Sequence, residues 1–299
     1  MTESLRGAPL FVKTVDGVRI AVHEVARDGT HEQAVVLSHG TFSNAVVCMQ
    51  LARSLARAGF ATYVLEWRGH GHSQRGERGA SFETAALNDV PATLDLVRAR
   101  AGVERFLWVG HSGGGLLPVM LMARSPAVAA SFDGVVTLAT QAADAGGTIP
   151  ARVGIAGAAL LTNVLRRAPG RALKLGTQDE PPRVMNPWYR WNLTGRWIGT
   201  DGFDYRAAAA RLNVPILAIA GGGDRFIAPP YACRRFVDAL GSVDKEFVLC
   251  SRSTGYAEDY DHGRLIASRG AVREVWPRVT GWLKRHATSR SSHGAAVPL

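Results

Sequence analysis

The chain has 299 residues and a formal net charge of +10 at pH 7; 46% of its residues are hydrophobic and 20% charged. That is enough apolar material for a large core and excludes a disordered chain, and α/β folds of this length occur as one domain. The positive charge is spread over helix faces without a run of five like charges, which excludes a nucleic-acid arm, and no run of 18 apolar residues suggests a membrane span.

From the N-terminus, residues 10–25 alternate apolar and polar around Asp16-Gly17, a two-residue hairpin signal. Strand patterns follow at 34–38, 60–65, 106–110, 134–139, 214–220 and 246–250. Helical patterns fall between them at about 46–58, 82–101, 114–124, 229–240 and 271–286. The alternation predicts a mostly parallel sheet covered by helices on both faces, with ligands at the carboxyl ends of the strands. It stops between about Gln141 and Leu212. This insert opens with an apolar helix candidate, Ala151 to Leu165, and passes the breakers Ala168-Pro169-Gly170 and Pro181-Pro182. It then reaches an aromatic cluster of Trp188, Tyr189, Trp191 and Trp197. Residues 150–206 carry nine Lys/Arg against four Asp/Glu, half of the net charge. The expected organisation is a core of 1–140 with 213–286, an insert of 141–212, and a disordered Ser/His/Gly-rich tail of 287–299. The first residues lack the apolar core of a secretory signal. Cys48, Cys233 and Cys250 have no C-x-x-C spacing and read as thiols of a reducing compartment, so a cytoplasmic location is expected.

Residues 106–115 read Phe-Leu-Trp-Val-Gly-His-Ser-Gly-Gly-Gly, an apolar strand running into a serine between small residues. Such a segment turns sharply enough to project one hydroxyl. A serine hydroxyl needs a base to take its proton. Among the nine histidines only His262, His286 and His293 follow the last strand pattern, and the latter two lie at a helix end and in the tail. Asp224 follows an apolar strand and three glycines, and the 38 residues between it and His262 leave room for a helix, a strand and a loop. The third strand delivers His39-Gly40-Thr41-Phe42 into a polar loop.

The chain order Ser112, Asp224, His262, with the elbow Gly110-His111-Ser112-Gly113-Gly114, resembles serine hydrolases of the α/β-hydrolase superfamily over about residues 10 to 285. Glu66-Trp67-Arg68-Gly69-His70-Gly71-His72-Ser73, followed by Gly76-Glu77-Arg78-Gly79, is similar to the R-G-H-G-x-S…G-E-R stretch of the monoacylglycerol lipase and lysophospholipase branch. Phe82 and Asn88-Asp89-Val90 fit that pattern too. Glu66 departs from the branch's usual Asp, and Ser112-Gly113-Gly114 from its usual S-M-G or S-Q-G.

The resemblance implies an α/β-hydrolase fold with a helical cap inserted after the sixth main strand. It implies Ser112 as nucleophile, His262 as base and Asp224 as its partner, with Asp144, after the sixth strand, as the reserve acid, and backbone oxyanion donors at Thr41 and Gly113, with Phe42 as fallback. Phe42, His111, Trp188, Trp191 and Trp197 are the expected pocket residues. His39 is expected to brace its loop, and His111 to pack beneath the site. Gly113 to Gly115 and Pro118 are expected to loosen or kink the next helix. No metal or organic cofactor is required. The substrate expected is a small-molecule carboxylic ester with a hydrophobic acyl or aromatic part, with no nucleic-acid partner and at most a weak membrane-surface contact through the basic cap. An elbow serine argues against dehalogenases and epoxide hydrolases, which need a carboxylate there. A basic cap argues against aminopeptidases, which need acidic groups for an ammonium. Thioesterase and acyltransferase chemistry by the same triad, and a non-catalytic receptor on this fold, are the alternatives.

Overall fold

The computed structural model describes residues 8–25, 33–77 and 79–287; the tail expectation falls almost wholly outside the described residues. Eight strands form one sheet: β1 (Leu10–Lys13), β2 (Arg19–Glu24), β3 (Ala34–Ser38), β4 (Ala61–Leu65), β5 (Phe106–His111), β6 (Phe132–Leu138), β7 (Ile216–Gly221) and β8 (Lys245–Cys250), in the order β1-β2-β4-β3-β5-β6-β7-β8. β2 runs antiparallel to both β1 and β4, and every pairing from β4 to β8 is parallel. Strands β3 to β7 are buried along their whole length, which is why they read as unbroken apolar runs. Their side chains divide by the two-residue period. Val36, Phe106 and Trp108 face one core, and Val35, Leu37, Leu107 and Val109 face the other.

Helices α3 (Val90–Ala101) and α4 (Leu116–Arg124) cover the first face, while α1 (Val46–Arg57) and α9 (Arg269–His286) cover the second. The predicted helix of 82–101 is continuous, but α2 (Phe82–Thr84) joins α3 through a π-helical turn at Ala85–Asp89. The hairpin differs from expectation. Thr14 and Val18 close a loop of three residues, with Gly17 at φ +83°, so the register is that of a longer turn. Pro118 does not break α4, because it lies in the first turn, where its ring is tolerated. The carbonyl of Gly114, which a residue with an N–H at 118 would engage, instead accepts from Trp108 Nε1 at 3.0 Å.

Between β6 and β7 the chain builds the cap from α5 (Ile149–Val164), α6 (Pro182–Thr194) and α7 (Tyr205–Ala209), and α8 (Pro230–Asp238) follows β7. Asn192 ties α6 to the core, accepting from the Ala145 amide at 2.7 Å and donating to the Ala142 carbonyl at 3.2 Å. The Arg68 guanidinium, fully buried, is held by Asp89 and Asp16 at 2.7 and 2.6 Å, which accounts for the arginine of the R-G-H-G stretch and the aspartate on the next helix. Among the described residues no helix is long and apolar enough to cross a membrane.

Candidate active site

Ser112 stands at the end of β5 with φ +54°, a left-handed conformation that a residue with a side chain adopts only when its surroundings hold it there. Small neighbours make this possible. A Cβ on Gly110 would lie 2.3 Å from the Gly115 amide, and one on Gly114 would lie 2.4 Å from the Ser38 carbonyl. At Gly40 it would meet Ser112 Cβ at 2.6 Å and Oγ at 3.1 Å, so the loop after β3 abuts the serine directly. Each of Gly113 to Gly115 therefore serves close packing: Gly113 against Trp67 and Phe82, Gly114 against the end of β3, and Gly115 against Thr137 and Thr140.

His262 and Asp224 arrive from the ends of other strands and meet at 2.6 Å, Nδ1 to Oδ2. The second oxygen of Asp224 accepts the amides of Ile227 and Ala228, each at 3.1 Å. Burial alone would raise the Asp224 pKa, but these bonds from His262 and the two amides outweigh it and hold the group below its ordinary value. A carboxylate fixed on Nδ1 leaves Nε2 as the nitrogen free for proton transfer. Asp144 lies elsewhere, paired with Arg206 at 2.6 Å. His111 donates from Nε2 to the His262 carbonyl at 2.9 Å, and burial with the nearby His262 pulls its pKa down to about 3, so it stays neutral and braces the histidine loop.

The loop after β3 is held from both sides. His39, kept neutral by burial at a pKa of about 3, donates to the Gly40 carbonyl at 2.7 Å and accepts from the Trp67 amide at 3.3 Å. Phe42, at φ +61°, is gripped by the cap: its amide donates to Glu180 Oε1 at 2.6 Å and its carbonyl accepts from the Gln178 amide at 3.0 Å. The same Glu180 oxygen takes His70 Nε2 at 2.8 Å, while His70 Nδ1 faces the Arg68 carbonyl at 3.2 Å. Acceptors facing both ring nitrogens favour the imidazolium form. Burial opposes the charge, but Glu180 outweighs it and raises the His70 pKa. With its amide committed to Glu180, Phe42 is not a free oxyanion donor. Among the described residues nothing accepts from the Thr41 amide.

Ser112, His262, Asp224, Thr41, Phe42, Gly113, His111 and Trp188 all line one cavity of about 840 Å³ at the carboxyl ends of the strands. Its cap side is apolar, with Leu161, Leu173, Leu175 and Met185 among the wall residues. Residues 29–253, more than half of the chain, match the family model for serine aminopeptidase, S33, of the hydrolase type. The chain belongs to this serine hydrolase family. Its fold is that of an esterase from Thermogutta terrifontis (TM-score 0.64, 17% identity, 94% of this chain and 100% of that one) and of a monoacylglycerol lipase from Paleococcus ferrophilus (0.61, 23%, 90% and 99%). Epoxide hydrolase A of Mycobacterium tuberculosis is 33% identical over 120 residues, 38% of this chain, and the match spans only about a third (35%) of that relative's length.

In this serine hydrolase two of the expected pocket aromatics stand elsewhere. Trp191 and Trp197, almost wholly buried, do not line the cavity. Trp191 packs on Phe82 and donates to the Ile198 carbonyl at 2.7 Å, while Trp197 stacks on Tyr205. They form the seam between cap and core: Trp191 lies on the inward side of α6 with Val184 and Asn192, and Trp197, beyond that helix, packs on Phe236 of α8. Glu180 and His70 were not singled out from the sequence. His70 lay inside the R-G-H-G stretch, but no spacing rule links it to a carboxylate 110 residues away.

Proposed function

We propose that the protein hydrolyses carboxylic esters with a hydrophobic acyl or aromatic part. Ser112 attacks the carbonyl while His262 Nε2 takes its proton; Asp224 holds the ring and stabilises the imidazolium. The Thr41 and Gly113 amides receive the oxyanion. His262 then returns the proton to the leaving alcohol, and a water activated by the same nitrogen releases the acid from Ser112. The observation that carries this reading is the 2.6 Å His262–Asp224 contact in the wall of the cavity that also holds a left-handed Ser112. The apolar cap wall suits an acyl chain. The cavity's carboxylates among the described residues are Asp224, engaged by His262, and Asp261, in a lining that also carries Lys174, Arg225 and Arg264, a poor setting for a substrate ammonium. An elbow serine in place of a carboxylate argues against epoxide opening.

A phosphate-bearing thioester is the second reading. Arg75, Arg166, Arg167 and Arg171 surround a neighbouring cavity of about 420 Å³ that shares Thr177 with the first. The apolar face of α5, with Ile149, Val153, Leu160 and Val164 all exposed, supports a weak contact with a lipid surface. Three buried free cysteines suit a reducing compartment. Labelling by a fluorophosphonate, lost in Ser112→Ala, separates catalyst from receptor. Turnover of p-nitrophenyl esters of rising chain length, beside acyl-CoA and acceptor alcohols, separates esterase, thioesterase and acyltransferase. Failure to label, with no ester turnover, would overturn the enzyme reading.

A further inference from the structure

Away from the catalytic cavity, His23 on β2, Glu66 after β4 and His72 in the following turn each bring one donor atom within 4.8 Å of the others. His23 Nε2 lies 3.3 Å from Glu66 Oε2, and His72 Nδ1 lies 3.2 Å from the same oxygen. A tetrahedral ion bound at about 2.0–2.1 Å from nitrogen and oxygen ligands separates neighbouring ligand atoms by about 3.3 Å. Two of the three spacings thus already have the length of a coordination edge. The third, between the two histidines, is within 4.8 Å, and the His72 side chain is half exposed.

Hydrogen bonding satisfies His23 poorly. Its ring is 4% exposed, and among the described residues its buried Nε2 makes no well-formed hydrogen bond, only the 3.3 Å approach to Glu66 Oε2. A lone pair directed at the same place has no such difficulty. Glu66 is fixed for ligation. Oε1 accepts the Ala45 amide at 3.1 Å and Oε2 the His72 amide at 2.7 Å. Gly71, at φ +50°, leaves the room that the carboxylate occupies, since a Cβ there would stand 2.0 Å from Oε1. Held carboxylates of this kind are the usual support of a metal ligand. Glu66 is also where this chain departs from the aspartate of the branch it resembles, and its longer arm reaches between the two imidazoles.

We propose that His23, Glu66 and His72 form a binding site for a divalent transition-metal ion of the zinc type, with its remaining position open to solvent beside His72. Two imidazoles and one carboxylate suit zinc, cobalt, nickel or copper; magnesium and calcium prefer all-oxygen sites. The ion takes no part in ester chemistry. Through Glu66 and Ala45 it ties β2 and the turn after β4 to the start of α1, so its effect is on stability.

The test uses untagged, chelator-treated full-length protein, titrated calorimetrically with Zn2+ and observed by visible absorption with Co2+. One ion per chain is expected, with a tetrahedral Co2+ spectrum and a rise in Tm on adding Zn2+. His72→Ala, at a half-exposed position, should lose at least tenfold in affinity, the Co2+ spectrum and the Tm response, while its metal-free circular dichroism remains that of the folded chain. His23→Gln should do the same. Absence of binding at millimolar Zn2+, or binding undiminished in His72→Ala (an ion held elsewhere, for instance at His262), would overturn the proposal.

Discussion

The elbow and the loop after β3 face the same cavity but are held by opposite means. Ser112 is set by residues within five positions of itself and by the ends of β3 and β6, where absent side chains let backbones touch. The Thr41–Phe42 loop is fixed by Glu180, 138 residues away in the cap. The geometry of the proposed nucleophile belongs to the core; that of the proposed oxyanion donor is shared with the cap. The contrast predicts that damage to the elbow or its base destroys turnover outright, whereas damage to the clamp weakens it by degrees.

The largest effect is expected at Ser112. Ser112→Ala should lower kcat for a p-nitrophenyl ester by about 10⁵-fold or more, with circular dichroism and Tm unchanged. A retained rate would show that the elbow is not the nucleophile. Asp224→Asn should cost about 10⁴-fold by presenting the wrong tautomer of His262, while Asp144→Asn, tied to Arg206 outside the cavity, should stay within twofold. Reversed effects in the same assay would exchange their roles.

The clamp comes next. Glu180→Gln should lower kcat by about 10- to 100-fold with little change in KM, since a misplaced donor weakens the transition state more than substrate binding. A pure KM effect would make Glu180 a pocket-shape residue only. The smallest effect concerns pH. Because the folded His70 pKa is raised, the stability it contributes is full below about pH 6.5, the ordinary histidine value, and is lost as pH rises through the raised value. His70→Gln should flatten that alkaline decline in Tm, measured calorimetrically. An unchanged slope would mean that the imidazolium contributes nothing.

The same division explains what the sequence made legible. Strands β3 to β7 are buried on both faces, so their positions could be read from apolar runs, and helices α1 and α9 from their spacing. Ser112, Asp224 and His262 could be placed because each ends a recognisable strand or follows the last one. Aromatic density located the cap but not its inner side, and so Trp191 and Trp197 were expected in the pocket wall when they fill the seam with the core. Glu180 carried no local signature. Its partners are a backbone amide and a histidine more than 100 residues earlier, a relation that only the folded chain creates. The hairpin loop misled for a different reason, since Asp16-Gly17 fits a two-residue turn and a three-residue loop with glycine last equally well.

The grip of Gln178 and Glu180 on Phe42 sets a rule for anyone who would retailor this enzyme by exchanging caps. Grafting a foreign segment to change which acids are released would also discard the groups that hold Phe42 in its left-handed state, and the recipient should then turn over slowly even on substrates it accommodates well. A chimera that keeps residues 178 and 180, and the short bridge between Ala168 and Glu180 that presents them, is the one expected to separate selectivity from speed.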